Sequence, residues 1–163
     1  MRADQMENER YKKDDHCYIE LEEELMFKML EKYRKHRKTD PQNISVLDIG
    51  CGSGRITQKI QELGYQVRGL DFSEEAVKKA NQRGIPAVQC NLDEGMKAGN
   101  EEFDVVWAGD IIEHVFDPMG LLREANRVLK NGGVLIGSIP SDVGLNNRLR
   151  MLFGISYQEP MYR

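Results

Sequence analysis

A chain of 163 residues, 40% apolar and 31% charged, is long enough for one compact core and too short for two. Its 23 basic and 27 acidic side chains leave a net charge of −4, without the one-sided positive field that a phosphate backbone demands, so no nucleic-acid partner is expected. No apolar run approaches a bilayer span, Met1-Arg2-Ala3-Asp4-Gln5-Met6-Glu7 lacks a signal-peptide core, and Cys17, Cys51 and Cys90 match neither a disulfide framework nor a zinc site. The expectation is a cytoplasmic chain with free thiols, no metal and no membrane contact.

From the N-terminus, a polar start through Asp15 gives way to a helical pattern in which Tyr18, Leu21, Leu25, Met29 and Tyr33 recur every three or four residues. Glu20, Glu22, Glu23 and Glu24 open this helix, and Lys32, Arg34, Lys35, Arg37 and Lys38 close it, the order that suits a helix dipole. The charges read as the solvated face of a docking helix, flanked by exposed His16 and His36 and ended by Asp40-Pro41. Residues 1–43 are thus a polar segment and an amphipathic helix.

From Ile44 the pattern becomes short apolar runs alternating with amphipathic helices, the order of βαβ units in a parallel sheet. Strands are expected at Ser45–Ile49, Gln66–Leu70, Ala87–Cys90, Phe103–Trp107 and Gly133–Ile139. Between them, Ile56, Ile60 and Leu63 form a helix face that stops at Gly64, and Ser73 caps a helix carrying Val77 and Ala80 that ends by Gly84. In the last crossover Asp117 is the N-cap and Pro118 the first helical residue. Leu121, Leu122, Ala125, Val128 and Leu129 make its buried face, and Asn131-Gly132-Gly133 turns into the final strand. Residues 44–140 therefore form one α/β core, a Rossmann-like three-layer sandwich on a mainly parallel five-strand sheet, with Trp107 inside it.

Chemistry concentrates in Val46-Leu47-Asp48-Ile49-Gly50-Cys51-Gly52-Ser53-Gly54-Arg55, where a buried strand runs into a glycine-rich turn and then a helix. Glycine lets a ligand approach the backbone more closely than a Cβ permits, and the turn aims helix N–H groups at it. The spacing is GxGxG, with Arg55 where a dinucleotide fingerprint has its third glycine, which disfavours nicotinamide and flavin cofactors. Asp71 closes the second strand about twenty residues on, where nucleoside binding wants a carboxylate for ribose hydroxyls.

These segments, with Gly69-Leu70-Asp71-Phe72-Ser73, Phe103-Asp104-Val105-Val106 and Leu129-Lys130-Asn131-Gly132-Gly133, resemble in order and spacing the motifs of class I S-adenosylmethionine-dependent methyltransferases. Asp110-Ile111-Ile112-Glu113-His114-Val115 followed by Asp117-Pro118 is similar to the small-molecule group that serves ubiquinone and methionine biosynthesis. The resemblance implies that Asp48, Gly50, Cys51, Gly52 and Gly54 hold the methionine part of S-adenosylmethionine, and that Asp71 takes both ribose hydroxyls. It places Phe72 against the adenine, Asn91 and Leu92 at the adenine edge, and Gly109 and Asp110 at the site's rim. Asn91 stands where the family more often has aspartate. The Cys51 side chain itself reads as packing, since no histidine or lysine adjoins it in sequence.

Methyl transfer from a sulfonium needs an in-line nucleophile and mostly positioning, with S-adenosylhomocysteine as the product. For a small-molecule hydroxyl or acidic-carbon acceptor, His114 in the loop after the fourth strand is the candidate base. The resemblance departs after Pro140, because the family's sheet continues with a helix and an antiparallel strand pair. The expectation is that this pair is missing, that residues 141–163 begin a substrate-covering segment, and that the exposed sheet edge pairs in a homodimer. The second reading is a non-catalytic interaction module that keeps the fold and uses its N-terminal helix for a protein partner.

Overall fold

The computed structural model describes residues 16–139, with side chains from Glu23 onward. Helix α1 (His16–Arg37) is followed by β1 (Ser45–Ile49), α2 (Arg55–Glu62), β2 (Gln66–Asp71), α3 (Glu74–Gln82), β3 (Ala87–Gln89), β4 (Phe103–Gly109), α4 (Pro118–Val128) and β5 (Leu129–Ser138). The five strands form one sheet in the order β3-β2-β1-β4-β5, and every neighbouring pair is parallel.

Burial on both faces explains why β1 and β4 read as nearly unbroken apolar runs. Alternation along β1 sends Val46 to a cluster with Met26, Leu30, Ile60 and Val105, and sends Leu47 and Ile49 to one with Val106, Leu121, Ala125 and Val128. Helices α1 and α2 therefore cover one face and α4 the other. The caps are those the sequence predicts: Ser73 Oγ accepts from Ala76 N at 3.2 Å, and Asp117 Oδ1 accepts from Gly120 N at 2.8 Å with Pro118 opening α4.

The face of α1 differs from the expected stripe. Met26, Leu30 and Tyr33 are buried, whereas Leu25 and Met29 are each 51% exposed; Tyr18 and Leu21 lie outside the described side chains. Tyr33 is buried as expected, and the buried face is turned from the expected one so that Met26 and Leu30 take the places of Leu25 and Met29, each about 100° further round the helix. The buried one wins because it carries Phe27 with it, whose ring centroid lies 5.1 Å from that of Trp107. Leu30→Ala is accordingly expected to cost about 2–5 kcal/mol, and Met29→Ala about 0.5 kcal/mol or less, as read from urea denaturation midpoints.

Other boundaries shift for local reasons. Leu63 follows the end of α2 and is exposed, and Leu122 lies at the solvent margin of α4, so the buried faces reduce to Thr57 with Ile60 and to Leu121 with Ala125 and Val128. Asp71 extends β2, Cys90 falls outside β3, and β4 runs two residues beyond Trp107. Strand β5 starts directly from α4 at Leu129, which pairs with Phe103. The segment Asn131-Gly132-Gly133 lies in an irregularity inside the ladder, with Gly132 at φ +77°, and is not a free turn. Residues 141–163, expected to begin a substrate-covering segment, lie outside the described residues. Among those described, no helix is long and apolar enough to cross a membrane.

Candidate cofactor site

The strand order reverses at β1, with β2 and β3 on one side and β4 and β5 on the other. In an open α/β sheet the crevice at such a point, outside the C-terminal strand ends, is where ligands sit. The glycine turn follows β1 there, and Asp110-Ile111 follows β4.

Backbone bonds fix the turn: Gly50 N and Cys51 N both donate to Leu70 O, at 2.8 and 3.0 Å. Gly50 has φ +74°, and a Cβ on it would lie 2.8 Å from Ile111 Cδ1, so the loop after β4 closes directly onto this glycine. Gly52 is different. At φ +53° it also needs glycine's freedom, but among the described residues a Cβ there would meet nothing within 4 Å, so none of them covers its backbone.

Asp71 holds that open position. Its Oδ2 accepts from Gly52 N at 2.7 Å and its Oδ1 from Ser73 N at 2.9 Å, which makes this carboxylate a strut for the turn before any ligand arrives. Each oxygen keeps a second lone pair for a ribose hydroxyl.

Asp48 sits beneath the turn, 3% exposed, accepting from Thr57 Oγ1 at 2.5 Å. Burial pushes its pKa up to about 7; the Thr57 bond opposes this and the nearby Asp71 charge adds to it. Cys51 is buried too, its Sγ filling the space that a Cβ on Gly69 would need at 2.6 Å. Burial, then the Asp48 and Asp71 charges, push its thiol up to about 12, which keeps it protonated and unreactive at neutral pH.

Along the same edge Phe72 is 72% exposed beside Asp71. Asn91 spends its amide locally, accepting from Asp93 N at 3.2 Å and donating to Glu94 at 2.9 Å. Leu92 is buried in the α4-side core, which leaves its backbone and not its side chain for contact with a ligand's edge in the expected site. Gly109 ends β4, and Asp110, at φ +50°, accepts from Ser138 Oγ at 2.6 Å, tying the ends of β4 and β5 together. His114 lies in a short 3-10 helix, Ile112–His114, with its side chain 70% exposed and Nε2 3.9 Å from Glu113 Oε1.

The sequence reading missed three contributors. Thr57 was visible in principle as a polar residue three before buried Ile60, whereas Ile111 and Asp93 carry no local signal. Asp93 Oδ1 accepts from Phe116 N at 2.8 Å, joining the loop after β3 to the loop after β4. Together the backbone at Gly52, the Asp71 carboxylate and exposed Phe72 fit a cationic nucleoside; a pyrophosphate would meet Asp71, and Asp48 to the extent that it is ionised, as like charges.

The position of Asp48 has a pH signature. A carboxyl whose folded pKa is raised binds its proton more tightly folded than unfolded, so its contribution to stability is present at low pH. That contribution is lost as pH rises from 3.8, the ordinary value of an aspartate, to about 7. Asp48→Asn is expected to remove this fall and to be more stable than the parent at pH above that window, as measured by urea midpoints across pH. A variant profile parallel to the parent's would contradict it.

Comparison with known proteins agrees with this geometry. A model described as a methyltransferase domain matches residues 47–137. The ubiquinone biosynthesis O-methyltransferase of Parvibaculum lavamentivorans is 33% identical over 99 residues, 58% of this chain and 39% of that protein. The human mitochondrial ubiquinone biosynthesis O-methyltransferase is 32% identical over 119 residues, 68% of this chain and 32% of that protein. The chain spans less than half the length of these relatives. Among solved structures, a Thermotoga maritima S-adenosylmethionine-dependent methyltransferase described as a possible histamine N-methyltransferase superposes with a TM-score of 0.58 at 28% identity, covering 68% of this chain and 51% of that one. One from Mesorhizobium loti does so at 0.57 and 26%, covering 62% and 49%. With the domain match spanning more than half of its residues, the chain belongs to the class I S-adenosylmethionine-dependent methyltransferases.

Proposed function

We propose that this chain carries the cofactor core of an S-adenosylmethionine-dependent O-methyltransferase acting on a small-molecule acceptor, as the ubiquinone biosynthesis enzymes' name describes for those proteins. The observation that carries the reading is the open glycine backbone at Gly52, anchored by its N–H to Asp71 at the reversal point of the sheet.

In this reading Asp71 accepts from the ribose hydroxyls while Phe72 flanks the adenine, and Asn91 with the Leu92 backbone meets the adenine edge. Gly50, Cys51, Gly52 and Gly54 present backbone to the methionine part, with Asp48 below them and Gly109 and Asp110 at the rim. The cofactor, when bound, supplies an electrophilic methyl group on a cationic sulfur. The carboxylates of Asp48, Asp71 and Asp110 favour that positive charge. His114, exposed at the same edge, would take the proton of an acceptor hydroxyl that receives the methyl group, the carbon–sulfur bond breaking with its electron pair left on sulfur. Residues 141–163 would begin the cover over the acceptor, the outer edge of β5, which pairs with no strand among the described residues, would pair in a homodimer, and a cytoplasmic setting goes with the free thiols.

The test is transfer of labelled methyl from S-adenosylmethionine to a panel of small phenols, catechols and hydroquinones. Label in the extracted acceptor supports the reading, with His114→Ala expected to slow transfer without changing cofactor affinity. Cofactor binding with no labelled product from any hydroxyl acceptor would contradict it.

A further inference from the structure

Arg55, which stands where a dinucleotide turn would have its third glycine, is held from outside the turn. Glu23 on α1 accepts from the Arg55 guanidinium through Oε1 at 2.5 Å and from Lys59 Nζ through Oε2 at 2.7 Å. One carboxylate thus spans two successive turns of α2. Its side chain is 16% exposed, against 57% for Arg55 and 46% for Lys59. Burial alone would raise the Glu23 pKa, and the two cations outweigh it and hold the group below the usual carboxylate range.

The location gives the trio a task. Arg55 is the first residue of α2 and follows Gly54 of the turn directly. Helix α1 runs opposite to the strands: Arg37 at its end reaches Gly132 at the far edge of the sheet, Phe27 packs on Trp107, and Glu23 is one turn closer to the glycine turn. The helix continues from Glu23 back to His16, which at 1.5 Å per residue adds about 10 Å beyond the clamp at the cofactor edge. Met26, Leu30 and Tyr33 seat the rest of α1 on the sheet; at the height of the turn, the described contacts are those of Glu23.

We propose that Glu23, Arg55 and Lys59 form an electrostatic clamp that fixes the N-terminal part of α1 as a wall of the cofactor site and steadies the junction of the glycine turn with α2. Glu23 is a positioning residue, acting through Arg55, and its part in binding rests on the cofactor reading above. A second effect follows from charge. Glu23 neutralises two cations next to a site for a cationic ligand, so its loss penalises S-adenosylmethionine more than the uncharged sulfur of S-adenosylhomocysteine. Because both cations are half exposed, the clamp weakens with salt.

The experiment compares the full chain with Glu23→Gln and with the reversed clamp, Glu23→Lys combined with Arg55→Glu and Lys59→Glu. Calorimetry gives the affinity for both ligands at low and high salt, and hydrogen exchange gives the protection of the amides from Gly52 to Thr57. Glu23→Gln is expected to weaken S-adenosylmethionine binding about three- to tenfold at low salt, with a smaller loss for S-adenosylhomocysteine and a gap that closes at high salt. Exchange at the start of α2 should speed up while that of β4 stays unchanged, and the reversed clamp should restore the protection. Unchanged affinity in folded Glu23→Gln overturns the proposal. If the unaltered chain binds neither ligand, that failure belongs to the cofactor reading, and exchange alone decides the clamp: faster exchange with rescue sustains it, and unchanged exchange overturns it.

Discussion

Asp71→Ala is expected to raise the Kd for S-adenosylmethionine at least tenfold in a calorimetric titration. A hydrogen bond to a charged group contributes about 1.5–3 kcal/mol, and about 1.4 kcal/mol is one decade of affinity. The loss should exceed what the ribose contacts alone predict, because the same side chain holds Gly52 N at 2.7 Å and Ser73 N at 2.9 Å. Removing it frees the turn that meets the ligand as well as the group that binds it. Asp71→Asn, which keeps an acceptor on one side, should fall between. Asp71→Ala binding within about twofold of the parent would show that the ligand needs neither the carboxylate nor the bonds it gives the turn.

Gly50→Ala should be the most damaging single change to the fold near the site. Its Cβ would lie 2.8 Å from Ile111 Cδ1 and 3.2 Å from Ile111 Cβ, too close to the root of that side chain for a rotation to relieve, and the backbone there has φ +74°. Left-handed backbone costs a non-glycine residue about 1–2 kcal/mol, and overpacking adds about 1–3 kcal/mol. The sum, about 2–5 kcal/mol, is measurable by urea denaturation. Adding Ile111→Ala should recover only the overlap. Gly52→Ala separates the two roles of the turn, since its Cβ would enter open space: about 1–2 kcal/mol of stability goes, and ligand binding suffers more than the fold does. Equal stability losses at Gly50 and Gly52 would contradict this division.

The residues that could be read in the sequence are those whose partners are near in sequence or whose backbone demands are specific to glycine. β1, the GxGxG turn and the carboxylate ending β2 were legible because a buried parallel strand is an apolar run and only glycine serves at these φ values. Ser73 and Asp117 were legible as caps because their hydrogen bonds span three residues. The rotation of α1 was not: two stripes with the same spacing fit a helix equally well, and the contact of Phe27 with Trp107 that chooses between them crosses 80 positions of sequence. The partner of Arg55 was hidden similarly, 32 residues upstream. Asp71 was read as a ligand group and missed as a strut, since nothing in its neighbours announces the bond to Gly52. The start of β5 was misplaced because a glycine pair that reads as a turn is absorbed as an irregularity in the ladder with β4.

The measurement that tests the central claim most directly is calorimetric titration of the folded chain with S-adenosylmethionine, S-adenosylhomocysteine and a nicotinamide dinucleotide in parallel. The expected result is saturable one-to-one binding of the first two and none of the third. A folded chain that binds neither S-adenosyl ligand, or that takes the nicotinamide dinucleotide instead, would contradict the account of the glycine turn and Asp71 as a site for a cationic nucleoside.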